Sequence, residues 1–530
     1  MKRIICFLGV ALLSTAAGQA QLHNSASAPS VGSAQQPPLL PSTIPVLKAQ
    51  SSPAFKTYEL AALVPPIADV QAGDDSDRGN RGDRNRDCKA DPDGWRDGDQ
   101  DRDDRDNDHD MNDVGWPAGP TGYLLPPGYL HTKGSQIVDC NGSPVRIAAV
   151  GWPGYDGNGY VFRGLYAVGY KATMRGMVAD GFNTIRIPWS DLLITENPPP
   201  YPNQIDYTLN PDLVGLTGIQ IMDKAVEYAG EIGLRIIFDH HTNEGGANGN
   251  GGQQQNGLWF DKGPGTDNTD GEGDAGTITA AQFQADTIAL AMRYRNSPAV
   301  IGFDLDNEPL GVGSNNATTL NWGFGGPTDI WQMYTTVGNA LLKVNPHLLI
   351  ICEGPQTYNW NPPNGMADNG PEGDLSAVGG FNGTPAKPVV LKRPNQVVYS
   401  VHEYGPEVDD YGANEQTATL IPHMNADWGY LVTQNIAPVW IGEMGSNLDN
   451  TVEQLWAQGI VDYMNGKYGD AGGPTFTGNQ QGIPGDWWAW GYFPGEIPDG
   501  TLESDFATPK PDQKVITDQL SYFPAHADRW

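Results

Sequence analysis

The chain has 530 residues, 18% of them charged, and a formal net charge of −32. Such acidity excludes a binder of nucleic acid or of anionic membranes, because both surfaces select for basic patches. The length accommodates one large barrel with appended tails as readily as several small domains.

Residues 1–20 open with Lys2 and Arg3, continue with an apolar run over 4–13 and end near the small residues Gly18 and Ala20. That is the layout of a signal peptide, and the run is shorter than the roughly 20 residues that span a bilayer. The expected location is secreted, extracellular or periplasmic. Residues 21–73 are rich in Ser, Ala, Pro and Gln, show no period of 2 or 3.6, and read as a disordered leader. Residues 74–120 form an Asp/Arg-rich linker. Asp91, Asp93 and Gly94 resemble a calcium loop, but Arg102 stands at the twelfth position, where a bidentate Glu belongs. A solvated, self-repelling linker is the plain expectation, and a structural calcium the alternative. Cys6 falls in the signal peptide. Cys88, Cys140 and Cys352 then permit at most one disulfide, and their spacing does not suit zinc.

Residues 121–530 read as one catalytic domain. Eight short apolar segments, at 145–150, 183–187, 235–239, 300–304, 348–352, 396–400, 438–442 and 487–490, have the near-continuous apolar character of parallel strands covered on both faces. Between the second and third, Ile219, Met222, Val226 and Ala229 recur at spacings of 3, 4 and 3, one stripe of a helix that Gly233 ends. A second helix is predicted over 330–342. The fold class expected is α/β, a (β/α)8 TIM barrel preceded by a disordered N-terminal leader and the Asp-rich linker.

In such a barrel, reactive groups gather just after the C-terminal ends of the strands. There the sequence places Arg186 in FNTIRIP, His240 and His241 in RIIFDHH, and Asn307 and Glu308 in VIGFDLDNEP. Further along come His402 and Tyr404 in VVYSVHEY, Glu443 in VWIGEMG, and Trp487, Trp488 and Trp490. Two carboxyl groups on opposite sides of a barrel mouth, Glu308 and Glu443, suit glycoside hydrolysis, in which one is a proton donor and the other an ionised nucleophile or base. Plain readings compete: a surface turn for Glu308, a structural ion pair for Glu443, a core ion pair for Arg186. The His240–His241 pair lacks a third ligand at metal spacing, so no metal or cofactor is expected. Trp152, Tyr155, Trp259, Trp360 and Trp428 sit in loops after strands, and each is as suited to the core as to a platform for sugar faces.

The phrases AAVGWPGYDGNGYVFRGL, GFNTIRIPWSD, GLRIIFDHH, IGFDLDNEP, VVYSVHEY, NIAPVWIGEMG and WWAWGY, in this order over residues 122–519, resemble glycoside hydrolase family 5, the cellulase family, and in particular its bacterial endo-β-1,4-glucanases. The resemblance implies a retaining, endo-acting hydrolase of β-1,4-glucosidic bonds, with Glu308 as acid/base and Glu443 as nucleophile. It further implies that Arg186 keeps Glu443 ionised and that Asn307 binds the sugar 2-hydroxyl. His402 and Tyr404 would orient the nucleophile, His241 would contact substrate hydroxyls, and Trp488, rather than Trp490, would stack on a sugar. His240 is left to packing. The partner implied is a β-glucan polysaccharide or oligosaccharide acted on by a monomer. Two departures stand out. Asp306 occupies a position where relatives usually carry His, and a third carboxyl there is expected to raise Glu308 or bind a sugar hydroxyl. A cysteine pair of some relatives is absent near Gly157. Alternatives are the same mechanism on mannan, mixed-linkage glucan or xyloglucan, and a catalytically silent carbohydrate-binding barrel. The loops 245–270 and 359–380 should decide among substrates.

Overall fold

The computed structural model describes residues 128–157, 159–245, 254, 256–264, 276–309, 320–355, 381, 384–408 and 417–521. The expected signal peptide, leader and Asp-rich linker lie outside the described residues, as do Cys88, Trp360 and most of the two substrate loops.

A hairpin comes first, strand β1 (His131–Lys133) pairing antiparallel with β2 (Gln136–Val138). Gly134 makes the turn at φ +57°, a backbone region open to glycine. Eight parallel strands follow: β3 (Ala148–Gly151), β4 (Thr184–Ser190), β5 (Arg235–Thr242), β6 (Val300–Asp304), β7 (Leu349–Glu353), β8 (Val397–Tyr404), β9 (Val439–Gly445) and β10 (Gly485–Trp487). They close into a barrel in which β10 pairs with both β9 and β3. All eight expected strands are present. The last is shifted toward the N-terminus, because the ladder to β3 ends at Trp487↔Val150 and the chain then leaves the sheet. Trp488, Ala489 and Trp490 look like a strand in sequence but lie beyond the ladder.

The helical layer comprises α1 (Tyr170–Ala179), α2 (Asp191–Glu196), α3 (Gly218–Ile232), α4 (Ala280–Arg293), α5 (Ile330–Val344), α6 (Thr417–Met424), α7 (Tyr430–Thr433), α8 (Thr451–Met464) and α9 (Pro511–Ser521). The two expected helices are α3 and α5. At the start of α3, the Gln220 side chain accepts the Thr217 N–H at 2.9 Å, and Gly233 at φ +79° ends the helix. Its stripe of Ile219, Met222, Val226 and Ala229 is buried against the sheet. Cys140 is disulfide-bonded, and Cys352 on β7 is a buried free thiol. Among the described residues, no helix is long and apolar enough to cross a membrane.

Because side chains alternate along a strand, every second residue points into the barrel. Ile147, Ala149, Ile237, Ile301, Leu349, Ile351, Val398 and Trp440 fill its lower interior, and Leu130 and Ile137 of the hairpin region close it from below. Burial of each such aliphatic side chain contributes about 1.5–3 kcal/mol. That layer fixes the strands whose upper ends carry the site.

Candidate active site

Two residues above the apolar layer the inward positions turn polar. Arg186, paired in register with Gly151 and Ile237, is wholly buried at the centre. Its Nη2 lies 3.1 Å from Asp239 Oδ1 and 3.3 Å from both Asp304 Oδ2 and Glu353 Oε1, and it donates to Asn307 Oδ1 at 3.0 Å. Its Nη1 donates to Glu443 Oε1 at 2.5 Å. Burial would lower the guanidinium, but Asp239, Glu443, Asp304 and Glu353 raise it well above its ordinary value, so it stays charged. Oxygens of Asp239, Asp304 and Glu353 are close enough together to hold an ion. The guanidinium already stands where a cation would be drawn.

Glu443 closes the top of this cluster. The Tyr404 hydroxyl donates to its Oε2 at 2.6 Å, and His402 Nδ1 lies 3.7 Å from the same oxygen. Burial raises the Glu443 carboxyl, but His402, Arg186, His241 and the Tyr404 hydroxyl together overcome that and bring it down to about 2. Burial, with Glu443 beside it, raises the Tyr404 phenol well above its usual value, so Tyr404 remains a donor. Across the mouth, Glu308 sits just beyond β6 with φ +50°, a left-handed backbone uncommon for a residue with a side chain. Its N–H donates to Glu353 Oε2 at 2.8 Å, and its Oε1 lies 3.0 Å from His402 Nδ1. The Asn307 N–H donates to the His240 carbonyl at 2.9 Å, fixing the turn. With Asn307 Oδ1 committed to Arg186, the Asn307 amide has only donors left to offer. Oxygens of Glu308 and Glu443 and a His402 ring nitrogen all lie within 4.8 Å of one another.

His241 is buried, with Nδ1 2.6 Å from Asp239 Oδ2. Burial lowers its ring, but Asp239, Asp156 and Glu443 outweigh this and raise it to about 9, so it is an imidazolium at neutral pH. It stacks on Trp488 with centroids 5.6 Å apart and planes 5° from parallel. Trp488 is half-buried and lies flat on the end of β3: a Cβ at Gly151 would come 2.5 Å from its ring. Trp490, by contrast, is buried edge-on against Phe182, and Trp487 faces outward to donate to Gln513 Oε1 at 2.8 Å. Glu308, Glu443, Arg186, Asn307, His402, Tyr404, His241 and Trp488 thus converge on one rim.

Several open readings resolve in the structure. His240 does more than pack: its Nε2 lies 2.8 Å from Asp191 Oδ2, and its ring meets Trp189 and Phe283 edge-on. Asp306 is buried and turned to His240 Nδ1 at 3.7 Å, so it serves that histidine rather than a sugar. Burial pushes its carboxyl up to about 7. Trp152, Tyr155, Trp259 and Trp428 are core residues, buried to within 4% exposure; Trp428 Nε1 donates to Glu403 Oε1 at 2.6 Å. The sequence reading missed Asp239, Asp304, Glu353 and Asp486. Burial, then Glu353, raises Asp304 well above the carboxylate range. Burial also raises Asp486, neither of whose oxygens has a hydrogen-bond partner among the described residues. The signal was a lone acid inside an apolar strand phrase, as in IIFDHH and IICEG.

Comparison with known proteins bears on the same stretch. Residues 138–494 match the pattern of Cellulase (glycosyl hydrolase family 5). The chain belongs to glycosyl hydrolase family 5. An endoglucanase of Paenibacillus polymyxa is 34% identical over 384 residues, 68% of this chain and 84% of that protein. The major extracellular endoglucanase of Xanthomonas campestris pv. campestris is 28% identical over 399 residues, 73% of this chain and 70% of its own length. An endocellulase from Pyrococcus horikoshii, solved with cellotetraose, superposes with a TM-score of 0.60 at 26% identity, covering 74% of this chain and 98% of that one. As a family 5 member the chain is a glycoside hydrolase, and the barrel expected from its sequence is the fold observed.

Proposed function

We propose that this protein is a retaining, endo-acting hydrolase of β-1,4-glucosidic bonds in cellulose or soluble β-glucan. The observation that carries the reading is the pairing of Glu308 and Glu443, with oxygens within 4.8 Å and Glu443 held ionised by Arg186 and His402. Carboxyls about 5–5.5 Å apart leave no room for a water between nucleophile and sugar, whereas inverting enzymes need about 6.5–9.5 Å. Glu443 attacks the anomeric carbon while Glu308 passes its proton to the departing glycosidic oxygen. A covalent glycosyl-enzyme forms, and Glu308, now a base, takes a proton from the water that releases it. Asn307 offers amide donors to the sugar 2-hydroxyl, a contact that strengthens as the oxocarbenium character develops. Trp488 presents its open face to a pyranose ring. Only side chains take part, so no cofactor is required.

The glucan preference is supported by relatives named as endoglucanases and by a neighbour solved with cellotetraose. Release of reducing ends from carboxymethyl-cellulose in preference to galactomannan tests it, and proton NMR of the first product tests retention. Faster cleavage of galactomannan would reassign the substrate, and an α-anomer as first product would exclude the mechanism. We also propose export by the segment 1–20, supported by Lys2 and Arg3 ahead of its apolar run. N-terminal sequencing of protein recovered from the culture medium checks it.

A further inference from the structure

Glu353 is wholly buried at the end of β7, a strand to which the hydrolytic roles above assign nothing. It accepts from three donors on three elements. Its Oε1 lies 3.1 Å from His402 Nε2 of β8 and 3.3 Å from Arg186 Nη2 of β4, and its Oε2 takes the Glu308 N–H at 2.8 Å. Both of its oxygens are thus engaged, one by the Glu308 backbone and one by Arg186 and His402 together. It therefore holds Glu308 twice, through the backbone at its left-handed turn and through His402, whose other nitrogen lies 3.0 Å from Glu308 Oε1.

We propose that Glu353 is a positioning residue that aims the proton of Glu308 at the leaving oxygen by keeping the His402 ring doubly protonated. The inference rests on the hydrolase reading above. With both ring nitrogens carrying hydrogen, Nδ1–H donates to Glu308 Oε1, and the acid proton of Glu308 resides on Oε2, the oxygen left for substrate. In a neutral ring, Nε2–H would still bond Glu353, but bare Nδ1 would accept the Glu308 proton and draw it away from the glycosidic oxygen. The groups facing His402 are Glu308 beyond β6, Glu353 on β7, Glu443 on β9 and, farther off, Asp486 on β10, while Arg186 on β4 shares Glu353 Oε1 with it. Burial alone lowers the ring, but Glu353 first, then Glu443 and Glu308, raise it well above its ordinary value.

Glu353→Gln separates this role from simple scaffolding. Cellotetraose needs an acid to expel its leaving sugar, whereas 2,4-dinitrophenyl β-cellobioside leaves as a stable phenolate without one. The variant should lose about tenfold or more in kcat/KM on cellotetraose and stay within about threefold of wild type on the dinitrophenyl substrate, since general acid catalysis is worth about 10²–10⁴. Equal losses on both substrates, or no loss on either, overturn the proposal while leaving the hydrolase reading intact. A wild type inert on both refutes the hydrolase reading and this inference with it. Independently of any variant's folding, nitrogen NMR of the wild type should show both His402 ring nitrogens protonated at pH 7, and a neutral ring overturns the proposal.

Discussion

The lower and upper halves of the barrel interior are built by the same strands on opposite physical terms. On β5 the inward positions run Ile237, Asp239, His241; on β7, Ile351, Glu353; on β8, Val398, Ser400, His402, Tyr404. Below, the side chains are held by burial of apolar surface, which is non-directional and asks only that the space be filled. Above, Arg186 touches four carboxyl groups at once, and its buried charge is tolerated only because they surround it. Shape therefore comes from the lower half and reactivity from the upper, and a substitution should damage one without the other in the lower layer but both in the upper.

The largest effect should come from Glu443→Gln, which removes the nucleophile and leaves the packing unchanged. We expect kcat to fall about 10⁴-fold or more, and the melting temperature to fall at neutral pH because Arg186 and His402 lose the charge that they stabilise, by steady-state kinetics and calorimetry. Residual activity within tenfold of wild type would contradict the role of Glu443. Arg186→Met comes next: leaving buried carboxylates uncompensated costs about 3–5 kcal/mol, with activity lost as well. In denaturant titrations this cost should shrink at acid pH, as the stranded carboxylates take up protons; a cost independent of pH would argue against charge as its source. Ile237→Ala, in the layer below, should cost about 2–5 kcal/mol, yet leave kcat per folded molecule within about threefold. A large drop in kcat there would dissolve the distinction between the halves.

The smallest effect concerns pH. Glu443, held at about 2 against an ordinary 4.5, contributes stability that is present above pH 4.5 and lost as pH falls toward 2. His241, raised from 6.5 to about 9, contributes stability that is present below pH 6.5 and lost as pH rises through 9. Melting temperatures measured across these two windows should decline at both ends, and His241→Asn should flatten the alkaline decline alone.

What could be read in advance follows the same division. Parallel strands buried on both faces write themselves as apolar runs, so all eight were legible, and the family phrases carried Arg186, Asn307, Glu308, His402, Tyr404 and Glu443 to the rim. The hairpin β1–β2 was not legible, because three-residue strands are too short to show a period. Asp239, Asp304 and Glu353 were passed over because an acid in an apolar run marks a strand's end as readily as a buried network; only the closed ring shows that all three converge on one guanidinium. Whether Trp152, Tyr155, Trp259 and Trp428 belong to the core or to a sugar platform was open for a related reason: Trp152 is capped by Phe162, 3.8 Å between centroids, and no sequence signal tells a capped ring from an open one.

The circular closure of the sheet also carries a kinetic consequence. β3 finds its partner β10 only after more than 300 intervening residues, and Arg146 reaches across 337 positions to bond the Ile483 carbonyl at 2.8 Å. Contacts so distant in sequence must await loop closure, which slows folding. Until residues 485–487 arrive, β3 and β9 both present open edges able to recruit another chain. A chain cut short before Gly485 should therefore aggregate rather than fold into a smaller barrel, and the last strand made decides whether the first was made usefully.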